Sequence, residues 1–305
     1  MNEGGITDLQ GTADTLMRAL AKILETWAVS GEVKSVIFSL ASPSLVTDTL
    51  SMNYVRDHAT HPLEMEEIDT MVAKIEYKSL EKAKPKILSQ VPLEVSQMKL
   101  VTTSISSITI DGKKIANPLG FTGTNVSLTV CNVFIPLTTF SLLSSIARKL
   151  DLRVISFVPT PIALPKARGD ALELFDPNCF VDVGAAITTV ALENYSELIG
   201  ALQIPIGMSL LENMIVRKLP KLTRLEIEHR IHATDRTRDE QGVFREFFEI
   251  LSQGIATALS MITGAPLLRN FYFSGAAMTP ENQELLFGAL KEKYSGLELH
   301  RASLL

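Results

Sequence analysis

Asp182, Gly184 and Thr188 carry the clearest chemical signal in the chain. The apolar run Phe180-Val-Asp-Val-Gly breaks at Gly184 and returns as Ile187-Thr-Thr-Val-Ala-Leu192. An acid at the end of one strand, a glycine at the bend and a hydroxyl on the return strand make a hairpin whose turn amides can point at an anion. Ala185 and Ala186 fill the turn itself. A Cβ in left-handed geometry costs ~1–2 kcal/mol and obstructs close approach, so the grip is blunted. Gly207 and Gly275 mark two further turns, in Leu202-Gln-Ile-Pro-Ile-Gly-Met208 and Phe273-Ser-Gly-Ala-Ala-Met-Thr-Pro280. Glu226 and His229 lie one helical turn apart, which suits either ligand contact or ordinary exposed helix polarity.

Composition limits what such a site could serve. Hydrophobic residues make up 46% of the 305 and charged residues 21%, as in a globular protein large enough for two cores. A net charge of -5 argues against nucleic acid as a partner, because phosphate contacts need a basic face. The five histidines have no paired ligand spacing, so no metal site is expected. Cys131 and Cys179 fall in apolar strand-like runs and read as buried, reduced thiols. No apolar stretch reaches the ~20 residues that span a bilayer, and the amino terminus does not read as a signal peptide. The expected location is cytoplasmic.

The elements that must position these residues follow from periodicity. Residues 13–29 read as an amphipathic helix and 33–41 as a buried strand. The run 45–55 is expected to pair with that strand across Ser42-Pro43-Ser44. A long helix from His61-Pro62 is expected to end at Pro85. Strands follow at 93–102, 105–110 and 125–134, then a helix at 137–150 and a strand at 152–158, together a compact β-β-β-α-β unit. A helical stretch at 161–168 leads to three meandering strands over 178–206. Helices at 208–218, 222–233 and 242–263, a strand at 270–274 and a helix at 280–293 complete the reading.

Three blocks in register resemble the bacterial cell-division family FtsA, of the actin-like ATPase superfamily. They are Ile110-Asp-Gly-Lys-Lys-Ile-Ala-Asn-Pro-Leu-Gly-Phe-Thr-Gly123, the stretch ending Lys149-Leu-Asp-Leu-Arg-Val-Ile-Ser156, and the Asp182 hairpin with its return turn at Gly207. The resemblance runs from about Gly4 to Leu299. It implies a two-lobed, actin-like (ribonuclease H-like) α/β fold with an inserted β-rich α+β subdomain. Residues 1–89 would form a partial first lobe of helix, strand pair and long helix, residues 90–158 the insert, and residues 159–305 the second lobe with a reduced outer subdomain.

The resemblance also implies roles. Asp182, Gly184, Thr188 and Gly207 correspond to the phosphate-gripping hairpin and its return turn, and Gly275 to the adenosine turn. Glu226 and His229 stand where relatives reach the ribose. Thr189 replaces an acid that relatives keep near Mg, and Ala276 and Ala277 replace adenosine-turn glycines. ATP with Mg is therefore the implied cofactor, with binding weak or lost, no catalytic residues and no active ATPase expected. The family's partners are a tubulin-like division filament and other division proteins, with self-association, at the inner face of the membrane at the division site. This chain is read as having no membrane anchor of its own. Phe121 and Lys113 to Ala116 are the first place to look for an interface, although Phe121 reads equally well as a packed turn residue. The rival readings are PilM-like type IV pilus assembly and an active superfamily ATPase. PilM proteins typically lack the Asn-Pro-x-Gly-x-x-Gly opening, which favours FtsA.

Overall fold

The computed structural model describes residues 8–26, 33–42, 44–91, 93–115, 117–167, 177–194, 197–262, 268–294 and 300–302. The expectations for residues 1–7, 27–29, Pro43, Ala116, 168, 195–196, 263, Leu299 and 303–305 therefore lie outside the described residues.

Helix α1 (Leu9–Thr26) precedes β1 (Ser35–Leu40), β2 (Val46–Val55), α2 (Met65–Gln90), β3 (Met98–Ile110), β4 (Lys113–Lys114), β5 (Asn125–Pro136), α3 (Leu137–Lys149) and β6 (Arg153–Pro159). Strands β2, β5, β3 and β4 form an antiparallel sheet in that order. Asp111 and Gly112, both at positive φ, close the two-residue turn between β3 and β4. Helix α2 lies on one face of this sheet, with Ile68, Met71 and Ile75 against Ile108, Val126 and Leu128.

The expected pairing of 33–41 with 45–55 does not form. Strand β1 pairs in parallel with β6, and β2 pairs with β5 without a break in register. The reason is long-range packing: Phe38 stacks on Phe157, and α3 covers both through Phe140, Leu143 and Ile146. The Ser42 turn thus carries the chain from one sheet to another, with Leu45 N–H bonded to Ser42 O. In consequence β6 is not part of a closed β-β-β-α-β unit. Strand β2 and helix α2, within 1–89, share their sheet and core with the strands of 90–158.

Two boundaries also move. The runs 93–102 and 105–110 are one strand, β3, with irregularities at Leu100/Thr102 and Ile105/Ser107. With no glycine or proline to turn the chain there, bulges absorb the misfit. Helix α2 continues through Pro85 to Gln90. An interior proline forfeits a helical hydrogen bond, and burial of Ala83 and Ile87 against Val46 and Phe134 compensates.

The remaining chain forms the second lobe. Helix α4 (Thr160–Ala167) leads to β7 (Asn178–Val183), β8 (Thr188–Asn194) and β9 (Glu197–Ile204), an antiparallel meander as expected. Helices α5 (Met208–Lys218), α6 (Arg224–His232) and α7 (Arg238–Met261) follow. Strand β10 (Asn270–Ser274) joins β7 in parallel, and after α8 (Pro280–Lys293) the short β11 (His300–Ala302), absent from the sequence reading, adds the last strand. The order is β11-β10-β7-β8-β9.

Helices α5 to α8 cover one face of this sheet over a core that includes Phe244, Phe247, Phe248 and Phe271. Leu164 of α4 meets Phe180, Ala191 and Tyr272 on the other face. The lobes touch where Thr47 donates to Ala201 O at 2.9 Å and Lys114 pairs with Glu197 at 2.5 Å. Cys131 in β5 and Cys179 in β7 are buried free thiols.

Candidate functional site

Three loops converge at the carboxyl end of β7. The hairpin turn between β7 and β8 closes with Gly184 N–H on Ile187 O at 2.9 Å. The link from β9 to α5 passes beneath it through Gly207, and the turn from β10 to α8 passes beside it through Gly275. Each glycine is required by close backbone approach. A Cβ at Gly207 would overlap the Ala185 carbonyl, and one at Gly275, where φ is +125°, would overlap the Val183 carbonyl. A Cβ at Gly184 would come within 2.9 Å of Ile187 O. The retained glycines are therefore filled by the protein's own backbone.

The same holds for the amides. Met208 N–H donates to Gly184 O at 3.0 Å and Ser209 N–H to Ala185 O at 2.8 Å. These are the first two amides of α5, the groups a helix amino terminus would otherwise present to an anion. The hairpin turn caps them with its own carbonyls. Thr188 is buried and its hydroxyl donates to Ile206 O at 2.7 Å, which ties the hairpin to the same link.

Asp182 is half-buried on the sheet face covered by α4, and Ser274 Oγ donates to its Oδ1 at 2.6 Å. The strand register places Ser274, Asp182, Thr189 and Gln203 side by side across β10, β7, β8 and β9. Thr189 Oγ1 and both polar atoms of Gln203 are buried without a hydrogen-bond partner. A matching polar row ends the other side of this face, where Asn270 bonds Asn178 and Asn178 bonds Glu193. The row at Asp182 is thus one carboxylate backed by neutral polar groups.

Asp182, Gly184, Thr188, Gly207 and Gly275 are brought together. Glu226 and His229 are exposed on α6. Glu226 folds back on its own helix start, accepting from Thr223 N–H and Thr223 Oγ1, both at 2.7 Å, in a reciprocal capping box. Those bonds, the backbone one first, draw its carboxyl below the usual carboxylate range. Its reach is used locally.

Sequence reasoning missed what holds the turn after Gly275. Asn282 donates to Ala277 O at 2.7 Å and to Ile231 O at 3.2 Å, and Arg236 donates to Asn282 Oδ1 at 2.8 Å. The Arg236 guanidinium also lies 3.7 Å from the Phe244 ring centroid. Gln203 was missed as well, although an amide between Leu202 and Ile204 in an apolar strand was a visible signal. Among the described residues no group of three His, Cys, Asp or Glu is placed to hold a metal ion. No helix of the described residues is long and apolar enough to cross a membrane.

No protein-family model and no curated protein sequence matches the chain. Solved structures do. A chain of a "PilM-PilN type IV pilus biogenesis complex" superposes with a TM-score of 0.66 at 15% identity, over 99% of this chain and 77% of that chain. The ethanolamine utilization protein EutJ from Carboxydothermus hydrogenoformans gives 0.42 at 18% identity, over 53% of this chain and 55% of its own. MreB 5 of Spiroplasma citri bound to AMPPNP gives 0.40 at 11% identity, over 56% and 60%. The likeness to the first of these, over 99% of the chain, carries the fold, which is the actin-like α/β fold expected from the sequence. The likeness that spans the chain is to a pilus-assembly structure, and nothing in it singles out FtsA.

Proposed function

We propose that this chain is a protein-binding scaffold on an actin-like frame, working as a pilus-assembly component of the PilM kind, with its nucleotide grip reduced or lost. The observation that carries this reading is the self-occupied phosphate corner: Gly184 O and Ala185 O take the first amides of α5, and backbone fills the space beside Gly207 and Gly275. An anion there would have to break two backbone hydrogen bonds before gaining any. The likeness over 99% of the chain to a structure solved as a complex supports a protein as the partner. If ATP with Mg binds at all, Asp182, Gly184, Thr188, Gly207 and Gly275 hold it, with Glu226 and His229 reaching toward the ribose only after the α6 cap opens.

A division role of the FtsA kind is the second reading. It is favoured by the Asn117-Pro118-Leu119-Gly120 turn, which forms with Gly120 at φ +83° and docks through Leu63 N–H on Phe121 O at 2.8 Å. In that case a tubulin-like filament and other division proteins are the partners, and half-exposed Phe121 with Lys113 belongs to the interface. In either role the scaffold self-associates and works at the cytoplasmic face of the membrane.

Two measurements test the proposal. Calorimetric titration with Mg-ATP is expected to give no tight binding and no turnover; micromolar binding with hydrolysis would restore the ATPase reading. Pull-downs of the full chain with pilus inner-membrane proteins and with division proteins separate the two scaffold roles.

A further inference from the structure

Strand β2 is an edge that lacks the usual protection. It pairs only with β5 among the described residues, through ten residues in unbroken register. From Thr49 to Val55 it has no charge and no proline, whereas the opposite edge, β4, is two lysines long. Arg56 N–H bonds Thr124 O at the end of the same ladder, in the same register. Alternation then gives the even residues of β2 to β5 and turns the amides and carbonyls of Ser51, Asn53 and Val55 toward the open side. Strand β9 meets β2 through side chains, Thr47 Oγ1 donating to Ala201 O at 2.9 Å and Thr49 Oγ1 to Ile199 O at 3.5 Å, and among the described residues it forms no strand ladder with β2.

Two separate grooves lie along this edge. Beside Met52 and Tyr54 one of about 600 Å³ is walled by Ala73, Lys74 and Tyr77 of α2. Beside Thr49 and Ser51 the other, of about 810 Å³, lies between Lys86 of α2 and Glu197–Leu202 of β9. Tyr77 is 86% exposed at the mouth of the first, and the Lys74 ammonium stands 6.0 Å from the Tyr54 ring centroid. Between Lys74 and Lys86 the helix has five lysines and two glutamates, in a chain whose net charge is -5.

We infer that an extended segment of a partner protein adds as a strand to the open edge of β2, with one of its two faces along the α2 wall, and that this face carries both apolar residues against Met52, Tyr54 and Tyr77 and carboxylates beside Lys74 and Lys78. Strand addition satisfies the outward backbone groups of β2, and the α2 wall supplies side-chain selection. A second copy of this chain is a poor occupant, because edge-to-edge pairing of two β2 strands would bring two lysine-rich walls together. The inference rests on the scaffold reading and gives it a docking mode.

The probe is a fluorescein-labelled peptide of repeating valine-threonine-glutamate-threonine, whose valines and glutamates share one face of a strand, with a valine-threonine-lysine-threonine peptide as control, read by anisotropy on the full chain. Binding of the acidic peptide is expected, with the lysine peptide weaker by at least about tenfold at low salt. Asn53→Pro removes one outward amide without touching the β5 ladder and is expected to cut binding by about tenfold while leaving the thermal midpoint nearly unchanged. Lys74→Glu with Lys78→Glu should do the same through charge alone, so the test survives if either variant folds poorly. No binding by the acidic peptide, or binding indifferent to both variants, overturns the inference. So does a stable dimer in light scattering that Asn53→Pro abolishes. A natural partner still captured by the Asn53→Pro chain would leave the scaffold role standing and remove only this docking mode.

Discussion

Two of the three parallel strand pairs among the described residues have opposite surroundings. Strands β7 and β10 sit inside a five-stranded sheet with α5 to α8 on one face and α4 on the other. Strands β1 and β6 are alone as a pair, covered on one face by α3 and the start of α1. Ile37 and Ile155 are 56% and 58% exposed. Helix α1 buries only Ala13 and leaves Leu16 and Ile23 at 42% and 53%. Parallel strands normally need cover on both faces. The difference teaches where opening should begin: β7 and β10 are packed on both faces, and β1 with α1 is expected to open at lower cost.

The largest expected effect is in the second lobe. Phe247→Ala removes a fully buried ring between α7 and the sheet and should cost about 3–5 kcal/mol in urea denaturation. A loss under about 1 kcal/mol would break the comparison.

Next comes the pair that joins α6 to α7. Arg230 donates to Glu240 at 2.6 Å, and the Glu240 carboxylate also caps Thr237. First the Arg230 bond and then the Thr237 backbone bond hold the Glu240 carboxyl at about 2, against an ordinary 4.5. Because the folded value is the lower one, the unfolded chain takes up the proton first as pH falls. The stabilisation is full above about pH 4.5 and is lost progressively toward pH 2. Glu240→Gln should destabilise by about 3 kcal/mol near neutral pH. Melting curves of both proteins from pH 6 to pH 2 should converge at the acid end.

Gly275→Ala is expected to cost about 1–3 kcal/mol, from positive φ and overlap with the Val183 carbonyl. Ile37→Ser in the first lobe should change stability by less than about 1 kcal/mol, since more than half of the residue is already exposed. A large effect there would mean the outer face of β1 is covered in solution. Amide exchange should follow the same ranking, slowest in β7 and β8 and fastest in α1.

What the sequence revealed follows the reach of the forces involved. The Asp182 hairpin, its meander and α5 to α8 are organised by neighbours in the chain, and periodicity with turn residues found them. Strand β1 was assigned the wrong mate because its true one, β6, lies beyond α2 and α3, and no local pattern encodes the Phe38–Phe157 stack. Pro85 misled for the complementary reason: burial of Ala83 and Ile87 outweighs a local stop signal. Glu226 shows a local rule read for the wrong purpose, since Thr223 and Glu226 are spaced as a capping box. The row of Ser274, Asp182, Thr189 and Gln203 needs the register of four strands before it can be seen.

The two cysteines turn the lobes into separately readable clocks. Burial pushes the Cys131 thiol up to about 12 and Cys179 further still, so neither offers a thiolate while its surroundings stay closed. Alkylation of Cys131 by a small reagent then times the opening of the sheet built on β5, and alkylation of Cys179 times that built on β7. Mass spectrometry of one pulse-labelled sample would report both intervals at once.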